Sequence, residues 1–120
     1  MSANNEQKVT DFCMSWLKGD LGASAAYLSE NVEYHNMPWD PVTGHAGFLQ
    51  VFKQFVRDDV NMLQKMDILH SASSGNIVMN ERLELWVLGD VRMELPVLGM
   101  FELNGEGKIL RWHDYFDAQT

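Results

Sequence analysis

The sequence predicts an α+β fold, with three N-terminal helices packed on one face of a curved sheet. Three observations carry this. Apolar residues recur at helical spacing in the first half of the chain. Strand-like runs fill the second half. Short glycine-bearing turns separate those runs, which reads as successive antiparallel hairpins. A doubly wound parallel sheet would need alternating strands and helices, and the order of elements disfavours it.

The elements follow in order. Val9, Phe12, Cys13, Trp16 and Leu17 form one apolar stripe, predicting a helix over roughly 5–18. Gly19 and Gly22 interrupt it, and a short helix follows through Ala25 and Leu28. A short strand, 31–36, precedes Pro38 and Pro41. Phe48, Val51, Phe52, Phe55 and Val56 repeat the helical spacing, giving a third helix over roughly 45–57, with Asp58 and Asp59 at its solvated end. Four strand-like runs then cover 61–73, 76–88, 91–103 and 108–117. The turns between them hold Gly75, Gly89, Gly105 and Gly107.

A length of 120 residues predicts one domain, 1–120. Hydrophobic residues at 46% and charged residues at 22% argue against global disorder. Nine basic against 17 acidic residues leave a net charge of -8, which argues against nucleic acid or an anionic membrane as partner, since both require a basic face. No apolar run reaches the ~18 residues of a membrane span. The lone Cys13 precludes an internal disulfide, and the first residues lack a signal-peptide pattern, so a cytoplasmic location is expected. The stretch from Leu83 to Leu103 is apolar at both parities. Both faces of that part of the sheet should be covered, one by helices and the other by a second copy in a homodimer.

Residues i and i+2 of a strand share a face, ~6.8 Å apart. Asn80, Arg82 and Glu84 therefore share a face with Val78 and Trp86, and Leu110, Trp112, Asp114 and Phe116 share another. Tyr34 and Asn36 form a third pair. Carboxylates among Leu, Trp and Phe point to the core side, although the opposite parity of the 76–88 run, Ile77, Met79, Glu81, Leu83 and Leu85, is also apolar and leaves its facing open. In a core a charge costs several kcal/mol unless it is paired. One arginine fork can hold a carboxylate on each side. Such a cluster serves either to fix sheet register or to keep two carboxyl groups in different protonation states. The second use supplies a general acid and a general base in one site. His35, His45, His70 and His113 lack metal-ligand spacing, so no metal and no cofactor is expected. Cys13 lies on the apolar stripe and reads as core.

Three segments carry a resemblance: VEYHNMPWDPVTG (32–44), GNIVMNERLELW (75–86) and LPVLGMFELNGEGKILRWHDYFD (95–117). They resemble limonene-1,2-epoxide hydrolase and its relatives, in the cone-shaped superfamily of nuclear transport factor 2, ketosteroid isomerase and polyketide cyclases. The resemblance implies a mixed, mostly antiparallel sheet curved into a cone-shaped α+β barrel. It implies one-step hydration of a small or medium apolar epoxide to a vicinal diol. By position in the family motifs, Asp114 matches the base that takes a proton from water. Tyr34 and Asn36 match the residues that bind this water. Arg82 matches the bridge between the carboxyl groups. Glu84 stands where the family has the Asp that protonates the epoxide oxygen, one methylene longer. His113 stands where the family often has Arg. Strand parity then makes Leu95 and Val97 walls of the pocket, with Trp86, Phe116, Met37 and Trp39 as further walls. An isomerase or epoxide-opening cyclase of the same fold, or a non-catalytic ligand-binding module, are the competing readings.

Overall fold

A computed structural model describes residues 2–56 and 60–118. The expected solvated end at Asp58 and Asp59 lies outside the described residues. The chain runs α1 (Ser2–Ser15), a 3-10 turn (Trp16–Lys18), α2 (Leu21–Ala25), β1 (Leu28–Asn36), β2 (Val42–Thr43), α3 (Gly44–Phe52), β3 (Leu63–Ser74), β4 (Ile77–Leu88), β5 (Val91–Leu103) and β6 (Ile109–Tyr115).

The first helix forms where the apolar stripe predicts it, and Val9, Phe12, Cys13 and Trp16 are all buried. It ends because Gly19 takes a left-handed conformation (φ 79°) and its N–H turns back to the Trp16 carbonyl. Asp20 caps α2 by accepting from the Ala23 N–H at 3.1 Å. The Asn61 side chain donates to the carbonyls of Trp16 and Leu17 at 3.0 Å, tying the end of the first helical stretch to the approach to β3. Leu28 opens β1 rather than closing a helix, and α3 stops at Phe52, so Phe55 and Val56 lie beyond it.

The sheet order is β2-β1-β6-β5-β4-β3. The β3-β4-β5-β6 meander is antiparallel throughout. β1 joins its far side in parallel with β6, setting Tyr34 beside Trp112 and Asn36 beside Asp114. The sheet is curved but open, ending at β2 and β3, and does not close into a barrel. The two-residue β2 was not expected. A register shift between Glu102 and Leu103 lets Ile109, not Leu110, face the core. Phe116 lies just past the end of β6.

Helices and sheet meet in an aromatic core. Trp112 is fully buried, stacked on Tyr34 (3.8 Å, 10°) and on Trp16 (5.2 Å, 24°), with Phe12 edge-on at 5.0 Å. Such pairs add about 0.5–1.5 kcal/mol each beyond the area they bury. The rigid consequence is that the strand residues next to Trp112 are held in place. The other sheet face leaves Met79, Leu98 and Tyr115 about half exposed.

Candidate active site

Strand alternation puts Val78, Asn80, Arg82 and Glu84 on the inner face of β4, all buried, which decides between the two parities the sequence left open. Arg82 has no exposure at all. Its Nη2 donates to Asp114 Oδ2 at 2.8 Å. Its Nε and Nη2 both reach Glu84 Oε2 at 3.0 Å. Its Nη1 donates to Asn80 Oδ1 at 2.9 Å. The guanidinium also lies over the Trp16 ring, 5.4 Å from its centroid.

The remaining carboxyl oxygens are held by two indoles. Trp112 Nε1 donates to Asp114 Oδ1 at 2.9 Å. Trp86 Nε1 donates to Glu84 Oε1 at 3.0 Å. One guanidinium and two indole N–H groups thus satisfy two buried acids, which is what keeps the cluster affordable in a core.

Burial pushes the Glu84 carboxyl up; Arg82 opposes this, Asp114 reinforces it, and the balance stays above the ordinary carboxyl range. Burial pulls Arg82 down, but Asp114 and Glu84 outweigh it, so the guanidinium is held charged. Burial likewise raises the Tyr34 hydroxyl well above its usual value, so it stays a neutral phenol. Behind the cluster, burial pushes the Cys13 thiol up to about 12. Its sulfur accepts a weak contact from Asn80 Nδ2 at 3.7 Å, which fits its reading as core.

Asp114, Glu84, Tyr34 and Asn36 open together onto one cavity of about 470 Å³. Asn36 Nδ2 donates to the Tyr34 hydroxyl oxygen at 2.9 Å. That leaves the Tyr34 proton and the Asn36 side-chain oxygen Oδ1 to bind a small polar molecule. Of the expected walls, Leu95, Val97, Trp86, Phe116 and Trp39 line the cavity. Met37 does not. It follows Asn36 with opposite parity, and its N–H donates to the Asp114 carbonyl where the chain begins to turn. Arg82 sits behind the carboxyl groups rather than at the cavity surface.

Several participants were missed. Trp16, Val51, Phe52 and Phe55 also line the cavity. Their helical spacing read as core, and one part of that apolar stripe faces the void instead. Asn80 was placed on the right face but given no role. Gly99 pairs with both Asn80 and Asp114, and a Cβ there would meet the Arg82 Nη1, with Asn80 Oδ1 at 2.9 Å. A lone glycine inside a long strand was the available signal of a close approach. The histidines stand apart from the cavity. His113 pairs with Glu33 at 2.6 Å, His70 with Glu81 at 2.8 Å, and His35 and His45 bond to backbone carbonyls.

An open, curved α+β sheet with paired acids beneath an apolar cavity holds the groups that acid–base chemistry on a small, weakly polar molecule would require. The chain belongs to the limonene-1,2-epoxide hydrolase family, whose catalytic domain matches residues 3–120. It is similar to epoxide hydrolase EphG of Mycobacterium tuberculosis, 26% identical over 99 residues, covering 82% of this chain and 64% of that protein. The chain thus spans somewhat under two thirds of that relative's length. Among solved structures, an LEH-like epoxide hydrolase from M. tuberculosis superposes with a TM-score of 0.83 at 22% identity, over 98% of this chain and 86% of that one. An NTF2-like protein of unknown function from Cytophaga hutchinsonii superposes with a TM-score of 0.78 at 17% identity, over 96% and 91%. At these identities the superpositions establish the fold.

Proposed function

We propose that the chain hydrates a small or medium apolar epoxide to a vicinal diol in one step, with Asp114 as base and Glu84 as acid. The observation that carries this reading is one arginine clamping two buried carboxyl groups, both of which border the same cavity. Water bound by the Tyr34 hydroxyl and the Asn36 side-chain Oδ1 gives a proton to Asp114 while its oxygen attacks an epoxide carbon. As the C–O bond breaks, Glu84 passes its proton to the departing oxygen. Atoms and charge balance: water adds across the bond, and the two carboxyl groups exchange protonation states until solvent or product restores them. Both oxygens of Asp114 accept an N–H, which favours a base over a nucleophile. Leu95, Val97, Trp86, Phe116 and Trp39 supply the apolar walls. Among the described residues, none of the lining side chains is Lys, Arg or His, which suits an uncharged substrate.

The test is diol formation from a panel of cyclic and aryl epoxides by the wild type and by Asp114→Asn. General-base removal lowers kcat/KM by about 10²–10⁴-fold with the circular dichroism spectrum intact. Equal rates would overturn the assignment. A second proposal concerns assembly. Sheet register aligns Met79 with Met100 and His113, and Glu81 with Leu98 and Tyr115, in adjacent rows on the outer face. A second copy of the chain covers these rows. Leu98→Glu then converts a dimer to a monomer in sedimentation velocity; a wild-type monomer at micromolar concentration would overturn it.

A further inference from the structure

We propose that Trp86 is a positioning residue for the acid: its indole N–H fixes Glu84 Oε1 so that the transferable proton faces the cavity. The inference rests on the hydrolase reading above and concerns how a longer side chain is kept in place. A glutamate's terminal torsion is broad, so a carboxyl on an extra methylene needs an external constraint. Here there are two, on different oxygens. Arg82 Nε donates to Oε2 while its Nη2, bonded to Asp114, lies 3.0 Å from the same oxygen, and Trp86 delivers an N–H to Oε1. Oε2 faces the guanidinium cation, where a proton would meet like charge, so the carboxyl proton belongs on Oε1, beside the indole bond.

The geometry repeats across the arginine. Trp112 does for Asp114 what Trp86 does for Glu84, each from two residues away on the same strand face. The two indoles differ in place. Trp112 is sealed in the aromatic core, whereas Trp86 borders the cavity and is braced edge-on by Phe55 (5.7 Å, 76°). Trp86 therefore touches both the acid and the space a substrate fills, so its side chain has two separable duties, one as wall and one as tether.

The groups facing Glu84 are few. Its own strand supplies Arg82, β6 supplies Asp114, β1 supplies the neutral Tyr34 phenol and α1 the Cys13 thiol. β5 contributes Leu95 and Val97, β3 contributes Met66, and α3 with its following turn contributes Phe52 and Phe55. Asp40 and Asp117 also line the cavity. The indole bond favours the ionised carboxylate, so its loss moves Glu84 titration to higher pH.

The experiment compares four proteins: wild type, Trp86→Phe, Glu84→Asp and the double variant. Phenylalanine keeps an aromatic wall and removes the N–H. Aspartate draws the carboxyl out of the indole's reach. Trp86→Phe should lower kcat about tenfold with KM within about twofold, and shift the alkaline limb of the pH–rate profile upward. In the Glu84→Asp background the same change has less than about a twofold effect. Equal losses in both backgrounds, or an unmoved limb, would reduce Trp86 to a wall. Carbon-13 NMR of labelled glutamate, with Glu84→Gln assigning the signal, reads the tether without turnover. A higher titration midpoint in Trp86→Phe supports the proposal and an unchanged midpoint overturns it. If the wild type forms no diol from any epoxide, the hydrolase reading fails, and the NMR titration still decides this one.

Discussion

The two faces of the meander carry ion pairs of nearly equal length in opposite surroundings. On the inner face, Arg82 meets Asp114 at 2.8 Å and Glu84 at 3.0 Å with almost no exposure. On the outer face, His70 meets Glu81 at 2.8 Å and Arg111 meets Glu102 at 2.7 Å. The His70 and Glu81 side chains are 82% and 53% exposed. Distance alone would rank these contacts together. Water separates them, because screening makes an exposed pair nearly neutral in energy while a buried charge left alone costs several kcal/mol. The inner network is therefore where loss of a partner is costly, and the outer pairs contribute little.

Four changes break or sharpen that contrast. The largest effect belongs to Arg82→Leu, which strands two buried carboxyl groups. It should cost about 3–5 kcal/mol in urea denaturation, together with all activity. Next comes Gly99→Ala. Its methyl group presses on the guanidinium and on Asn80, and overpacking of this kind costs about 1–3 kcal/mol. Because the displaced fork no longer serves both acids, kcat should fall further than stability implies.

The third concerns pH. Folded Glu84 titrates above its unfolded value, so at pH above the unfolded value (about 4.3) the native state binds more protons than the unfolded one. Its contribution to stability is complete below that pH and declines as pH rises, levelling off above the folded pKa. The slope is at most about 1.4 kcal/mol per pH unit. Glu84→Gln should remove this decline, seen as a flatter plot of unfolding free energy against pH from about 4.3 upward. The smallest effect is expected on the outer face. His70→Ala should change stability by less than about 1 kcal/mol, and the difference should vanish in high salt.

How much was legible in the sequence follows the same division. Parity along β4 grouped Asn80, Arg82 and Glu84 on one face, because a strand pattern is local, but Ile77, Met79, Leu83 and Leu85 make the opposite face apolar too, so pattern alone did not decide which face turns inward. The hairpins between β3, β4, β5 and β6 were legible from their glycines. The approach of Tyr34 and Asn36 to Asp114 was not visible as a pattern. It depends on parallel pairing of β1 with β6, a long-range contact that no local spacing encodes. The family motifs anticipated that grouping where parity could not. Leu110 was misplaced because strand counting was carried through a register shift, and Met37 because it was grouped with Trp39 by apolar character although its parity opposes that of Tyr34 and Asn36. The cavity walls from Val51, Phe52 and Phe55 were hidden because a residue facing a void and a residue facing the core have the same apolar chemistry.

The central claim is that Asp114 activates water and does not itself attack the epoxide. A single turnover in ¹⁸O-labelled water, with enzyme in excess over epoxide, tests it most directly. The account predicts one labelled oxygen in every diol molecule from the first turnover. Unlabelled diol in that turnover, with label entering only later, would mean that a carboxylate oxygen of the protein had been transferred, and would contradict it.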